Sequence, residues 1–140
     1  MSFDVLGDVN WLAILVGAVA WFILGALWYG PLFGKAWIAA TGIDPRAEGQ
    51  RPGAGVYVFP LVADLVATVA LAMLAEATGS STLGHGIILG LVVGIGFAVT
   101  LFAVESVFGN RPKPGTWFVI TAAYSLIGIV IASVIVTVWD

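Results

Sequence analysis

Cysteine is missing from this 140-residue chain, and that one absence removes disulfides, thiolate nucleophiles and cysteine-based metal centres while leaving the redox compartment unreadable. Charge is scarce too: Asp, Glu, Lys and Arg make up 9% of the residues, against about 25% in soluble domains. So few charges cannot cover a soluble surface. The net charge of −3, with no clustered basic face, excludes a nucleic-acid partner. The first ten residues hold Asp4 and Asp8 but no basic side chain. The positive n-region of a secretory signal is therefore lacking, and the first apolar run is expected to be a retained span. The single histidine, His85, has no cysteine partners and no paired carboxylates beside it, so no metal is assigned.

What the chain does contain is apolar sequence, 61% of the total. About 20 apolar residues suffice for a helix to cross the hydrocarbon core, and four such runs are present, at about 10–32, 56–78, 83–108 and 116–139. The expectation is an all-α, four-helix polytopic membrane protein forming a single membrane domain over 1–140, with the lipid bilayer as its first partner. All five basic residues lie in two gaps, Lys35, Arg46 and Arg51 in the connection 33–55, and Arg111 and Lys113 between the third and fourth runs. Since Lys and Arg are retained on the cytoplasmic side during insertion, both termini are expected outside and the protein in the cytoplasmic (inner) membrane. Trp11 and Trp139 would mark the outer interface, and Trp28, Tyr29, Trp37, Tyr57 and Trp117 the inner one, because Trp and Tyr favour interfaces. Trp21 falls at mid-depth and reads as a packing residue. Gly30-Pro31 ends the first run. Phe33, Lys35, Trp37 and Ile38 suit a short helix in the headgroup zone, stopped by Gly42 and Pro45.

The stretches Asn10-Trp11-Leu12-Ala13 and Gly25-Ala26-Leu27-Trp28-Tyr29-Gly30-Pro31-Leu32-Phe33-Gly34-Lys35-Ala36-Trp37, followed by Glu105, Arg111-Pro112 and Trp117, resemble the bacterial family named domain of unknown function 1761. The resemblance covers nearly the whole chain. It implies a small four-helix integral membrane protein and brings no activity, ligand or catalytic residue.

Helices in lipid associate through small residues and interhelical hydrogen bonds. Gly86, Gly90, Gly94 and Ala98 place a small residue at every fourth position of the third span. The fourth span offers Thr121, Ser125, Gly128 and Ala132, the second Ala63, Ala67 and Ala70, and the first Gly17 and Gly25. With so many small faces a homo-oligomer is expected, or docking on another membrane protein through the glycine-rich third helix. The stretch Gly84 to Gly90 imitates a dinucleotide fingerprint, but no strand precedes it. It reads as packing, and no cofactor is assigned.

Acids inside the bilayer carry the functional information, since each costs about 2.5–3.5 kcal/mol at the centre of a span. Asp64 lies about 10 Å in from Tyr57, and Glu105 about one turn from the inner end of the third span. At 100° per residue Glu105 shares the glycine face. With Thr68 and Tyr124 as hydroxyl ligands, Asp64 and Glu105 form a candidate proton or small-cation site, because two nearby carboxyls in low dielectric will share a proton or a cation. The structural alternative pairs Glu105 with Arg111 or Lys113 and leaves Asp64 bonded to a hydroxyl, fixing helix register. Glu76 and His85 read as loop-edge residues. No catalytic constellation is visible, so the chain is expected not to be an enzyme.

Overall fold

A computed structural model describes residues 1–44 and 53–139; the expectations placed on Pro45, Arg46 and Arg51 lie outside the described residues. No strand occurs among those described. A short 3-10 turn, Phe3–Gly7, precedes helix α1, Trp11–Leu27. Asn10 caps α1, its side-chain oxygen accepting from the N–H groups of Leu12 and Ala13 at 3.0 Å. A π-turn, Trp28–Leu32, continues α1 to complete the first span. Helix α2, Gly34–Thr41, is followed by α3, Gly55–Thr78, the second span. The third span joins α4, Leu83–Val93, through a π segment, Gly94–Val99, to α5, Thr100–Phe108; α6, Pro114–Val138, is the fourth. All four are long and apolar enough to cross a membrane, and the boundaries match the apolar runs of the sequence to within two residues.

The breaks have local causes. Pro31 supplies no N–H, and the chain accommodates it with a wide turn in which the Phe33 N–H reaches the Trp28 carbonyl at 2.8 Å. Gly34 then packs so closely on the Tyr29 carbonyl that a Cβ there would come to 2.7 Å from its oxygen. This close approach lets α2 fold back under the first span. Gly42 ends α2 in the left-handed region, φ 71°, as a C-terminal glycine does.

Helix α6 is the centre of the bundle and packs on α1, α3 and α4. Its most apolar window is 44% buried, whereas that of the third span is only 11% buried. The third span is thus a peripheral helix held mainly by the fourth. Asn10 Nδ2 donates to the Trp139 carbonyl at 3.0 Å, tying the start of the first span to the end of the last. At the opposite end the Lys113 N–H bonds the Ala40 carbonyl at 3.2 Å, drawing Lys35, Arg111 and Lys113 to one side of the bundle.

The small residues are used inside the chain. A Cβ on Gly86 would lie 2.8 Å from Val134 Cα, one on Gly90 2.7 Å from Val130 Cα, and one on Gly94 against the Leu126 side chain. Steps of four up α4 meet steps of four down α6, which is antiparallel backbone-to-backbone packing. Ser133 Oγ adds a buried hydrogen bond to the Gly86 carbonyl at 2.9 Å. Gly128 receives the indole of Trp21, and Gly17 meets Thr68 and Ala132. Two expectations fail here. The glycine ridge is covered by the fourth span and does not present a free docking face. In the second span Ala63 and Ala70 are exposed, and Asp64, Thr68, Leu71, Ala72 and Ala75 form the buried face instead.

Candidate functional site

Asp64 is 6% exposed, and its Oδ2 is buried without a hydrogen-bond partner. Among the described residues no lysine or arginine pairs with it. The one salt bridge among the described residues joins Arg111 Nη2 to Glu105 Oε1 at 3.2 Å. A buried polar atom left unpaired is costly, the more so in a bilayer that offers no water. Thr68 does not relieve it, because its hydroxyl donates to the Asp64 main-chain carbonyl at 2.7 Å, within the helix, and not to the carboxylate. Thr68 is therefore adjacent but committed elsewhere.

Tyr124 comes closest to the expected role. Its hydroxyl stands over Gly25, where a Cβ would lie 2.9 Å from it, and its phenol is within electrostatic reach of Asp64 and of Tyr29. The Tyr29 and Tyr124 rings meet edge to face with centroids 5.0 Å apart. The buried Trp21 indole and Thr121 hydroxyl lie beside the Tyr124 and Tyr29 phenols respectively, without an ideal hydrogen-bond geometry. Three elements thus deliver acid, phenols, hydroxyl and indole to one region between the first, second and fourth spans.

Glu105 does not join them. It is exposed, and besides the ion pair its main-chain carbonyl accepts from Arg111 Nη1 at 3.3 Å. The expected shared face with the glycines fails for a geometric reason. The π segment Gly94–Val99 lies between them, and a helix with i→i+5 bonding takes more residues per turn, so the count of 100° per residue drifts. Ala98, inside that segment, is only half-buried. Arg111 also lies 3.6 Å from the centroid of the Trp117 ring, which fixes this corner as an interfacial anchor.

Toward the basic end the region opens. A cavity of about 470 Å³ is walled by Tyr29, Trp37, Tyr57 and Trp117, with Thr121 and Asp44 also on its lining. A second of about 290 Å³, which shares Tyr29, Tyr57 and Pro60 with the first, reaches Gly25 and Tyr124. Pro60 precedes Asp64 by one helical turn, about 6 Å along the axis. The sequence marks Tyr29, Trp37 and Tyr57 as interface residues, and Trp37 also as part of the short headgroup helix, but not as the wall of a cavity. The break at Gly30-Pro31 was the signal that the chain folds back there and turns a belt into a wall. Beyond Asp64, away from the basic end, the interior is packed with Ala13, Ile14, Leu71, Ala72, Ala132 and Val136. At the outer turn His85 is exposed, its Nδ1 accepting from the Ser81 N–H at 3.4 Å. Among the described residues no three His, Asp or Glu side chains come together as metal ligands.

Four apolar spans around a buried acid define a small multi-pass membrane protein. The family model described as "Protein of unknown function (DUF1761)" matches residues 12–137, and the chain belongs to this family, as its Trp-Tyr-Gly-Pro-Leu-Phe-Gly-Lys segment suggested. No curated protein and no solved structure matches it.

Proposed function

We propose that this protein exchanges a proton or small cation across the cytoplasmic membrane, with both termini outside, as a homo-oligomer and not as an enzyme. The observation that carries the reading is the Asp64 carboxylate, buried, with Oδ2 unpartnered and in no salt bridge with a basic side chain among the described residues. Ionisable residues inside spans are functional candidates by default. A carboxyl so placed is satisfied either by its own proton or by an arriving cation. Tyr29 and Thr121 line the larger cavity and Tyr29 and Tyr124 the smaller one, and Pro60, which lines both, stands one helical turn before Asp64. In this reading the cavities open toward the cytoplasm and the packing of Ala13, Ile14, Leu71, Ala72, Ala132 and Val136 closes the other end, so net transfer requires that packing to loosen. Glu105 is left out of the site and anchors the third span at the interface.

The test is flux in reconstituted vesicles under proton, sodium or potassium gradients. Asp64→Asn keeps size and removes the titratable group, and is expected to abolish flux while the protein remains folded. Wild-type vesicles that leak no faster than empty ones under every gradient would overturn the reading. The mass of the native assembly in gentle detergent tests the oligomer.

A further inference from the structure

The larger inner cavity has a chemistry of its own. Four aromatic rings, Tyr29, Trp37, Tyr57 and Trp117, wall it, and no Lys or Arg is among its described lining residues. The Tyr29 and Trp37 rings stand 78° apart with centroids at 6.1 Å, so they form two nearly perpendicular sides of a box. Aromatic faces carry negative potential and attract cations, and boxes of this kind suit quaternary ammonium groups, which shed water easily. The volume of about 470 Å³ lies within the range of small-molecule sites. One ring already holds a cation, since the Arg111 guanidinium lies over Trp117, and its charge is offset by Glu105. What remains among the described lining residues is mainly π surface and the Thr121 hydroxyl, with the Asp64 carboxyl one helical turn beyond Pro60. Among the described lining residues an anion finds no cluster of basic donors, and a neutral apolar ligand would gain nothing from the Asp64 carboxyl.

We infer that this cavity binds a small organic cation bearing a quaternary or trimethylated ammonium group, held by the aromatic box, with Asp64 as the deeper counter-charge. The inference rests on the reading of Asp64 as an ion site and adds the class of ligand. The same headgroup chemistry is available from a free cation or from a choline lipid.

The probe is phenyltrimethylammonium, titrated by calorimetry and by quenching of tryptophan fluorescence into the full protein in phosphatidylglycerol nanodiscs, with empty discs as background. Saturable binding is expected, at least tenfold tighter than that of tert-butylbenzene, the neutral compound of the same shape. Trp37→Leu keeps apolar bulk and removes the π face, and is expected to weaken binding at least tenfold, whereas Trp37→Phe weakens it less. Tyr57→Leu, at a residue 54% exposed and so tolerant of change, repeats the test if Trp37→Leu does not fold. In phosphatidylcholine discs, unchanged affinity identifies a free cation as occupant, and competition identifies the lipid headgroup; either supports the box. Absence of saturable binding, equal binding of tert-butylbenzene, or aromatic-to-leucine variants that bind like the wild type overturn it. Binding is measured without a gradient, so its failure leaves the flux result standing, and absence of flux leaves a measured binding site standing.

Discussion

The fourth span makes two very different contacts. Against the third it is backbone-close, glycine by glycine, with a buried hydrogen bond from Ser133 to Gly86. Against the first and second, at the basic end, it meets aromatic rings and open volume. One side of the same helix is built for adhesion and the other leaves a chamber. Small residues permit close approach where no side chain intervenes. Rings at Tyr29, Trp37 and Trp117 hold the helices apart where they do. Stability and function are therefore expected to respond to mutation on opposite sides of α6.

The sharpest way to break this division is Gly90→Leu. Its Cβ alone would lie 2.7 Å from Val130 Cα, backbone that cannot step aside. A loss of about 3 kcal/mol or more, or failure to yield a monodisperse protein, is expected; thermal unfolding in detergent measures it. Gly34→Ala ranks next, at about 1–3 kcal/mol, because the new methyl presses on the Tyr29 carbonyl. It should also shift Tyr29 and so weaken binding in the aromatic cavity, joining the two sides of the comparison. Ser133→Ala removes the hydrogen bond to Gly86 and should cost about 1 kcal/mol, with ion flux unchanged. On the chamber side Asp64→Asn inverts the pattern, with flux lost and stability held within about 1 kcal/mol or raised, since it removes a buried carboxylate whose Oδ2 lacks a partner. Glu105→Gln breaks only an exposed ion pair and should change stability by less than about 1 kcal/mol. A large effect of Glu105→Gln on flux would return that residue to the site.

Much of this was legible in the residues. The four spans and the short helix ended by Gly42 follow from composition and breaks. The ridge Gly86, Gly90 and Gly94 was visible as a period of four, though its partner was not, because spacing describes one helix and says nothing of which neighbour fills it. The second span misled. Its alanines looked like a packing face, yet Asp64, Thr68 and Leu71 point inward, since an acid facing lipid costs more than an alanine facing lipid gains. Glu105 was misplaced for a different reason. A π segment changes the winding between two residues, and the segment Gly94 to Val99 carries no proline or charge to announce it.

Composition alone determined that this chain lives in a bilayer as helices, because a backbone in hydrocarbon must bond within its own segment and too few charges remain for any other solvent. Which acid became buried and which met an arginine, whether the glycine ridge was spent within one copy, and that four interfacial aromatics leave a chamber were decided only by tertiary structure. Those outcomes depend on helix rotation and on the fold-back at Pro31. Both are settled by contacts between segments far apart in the chain.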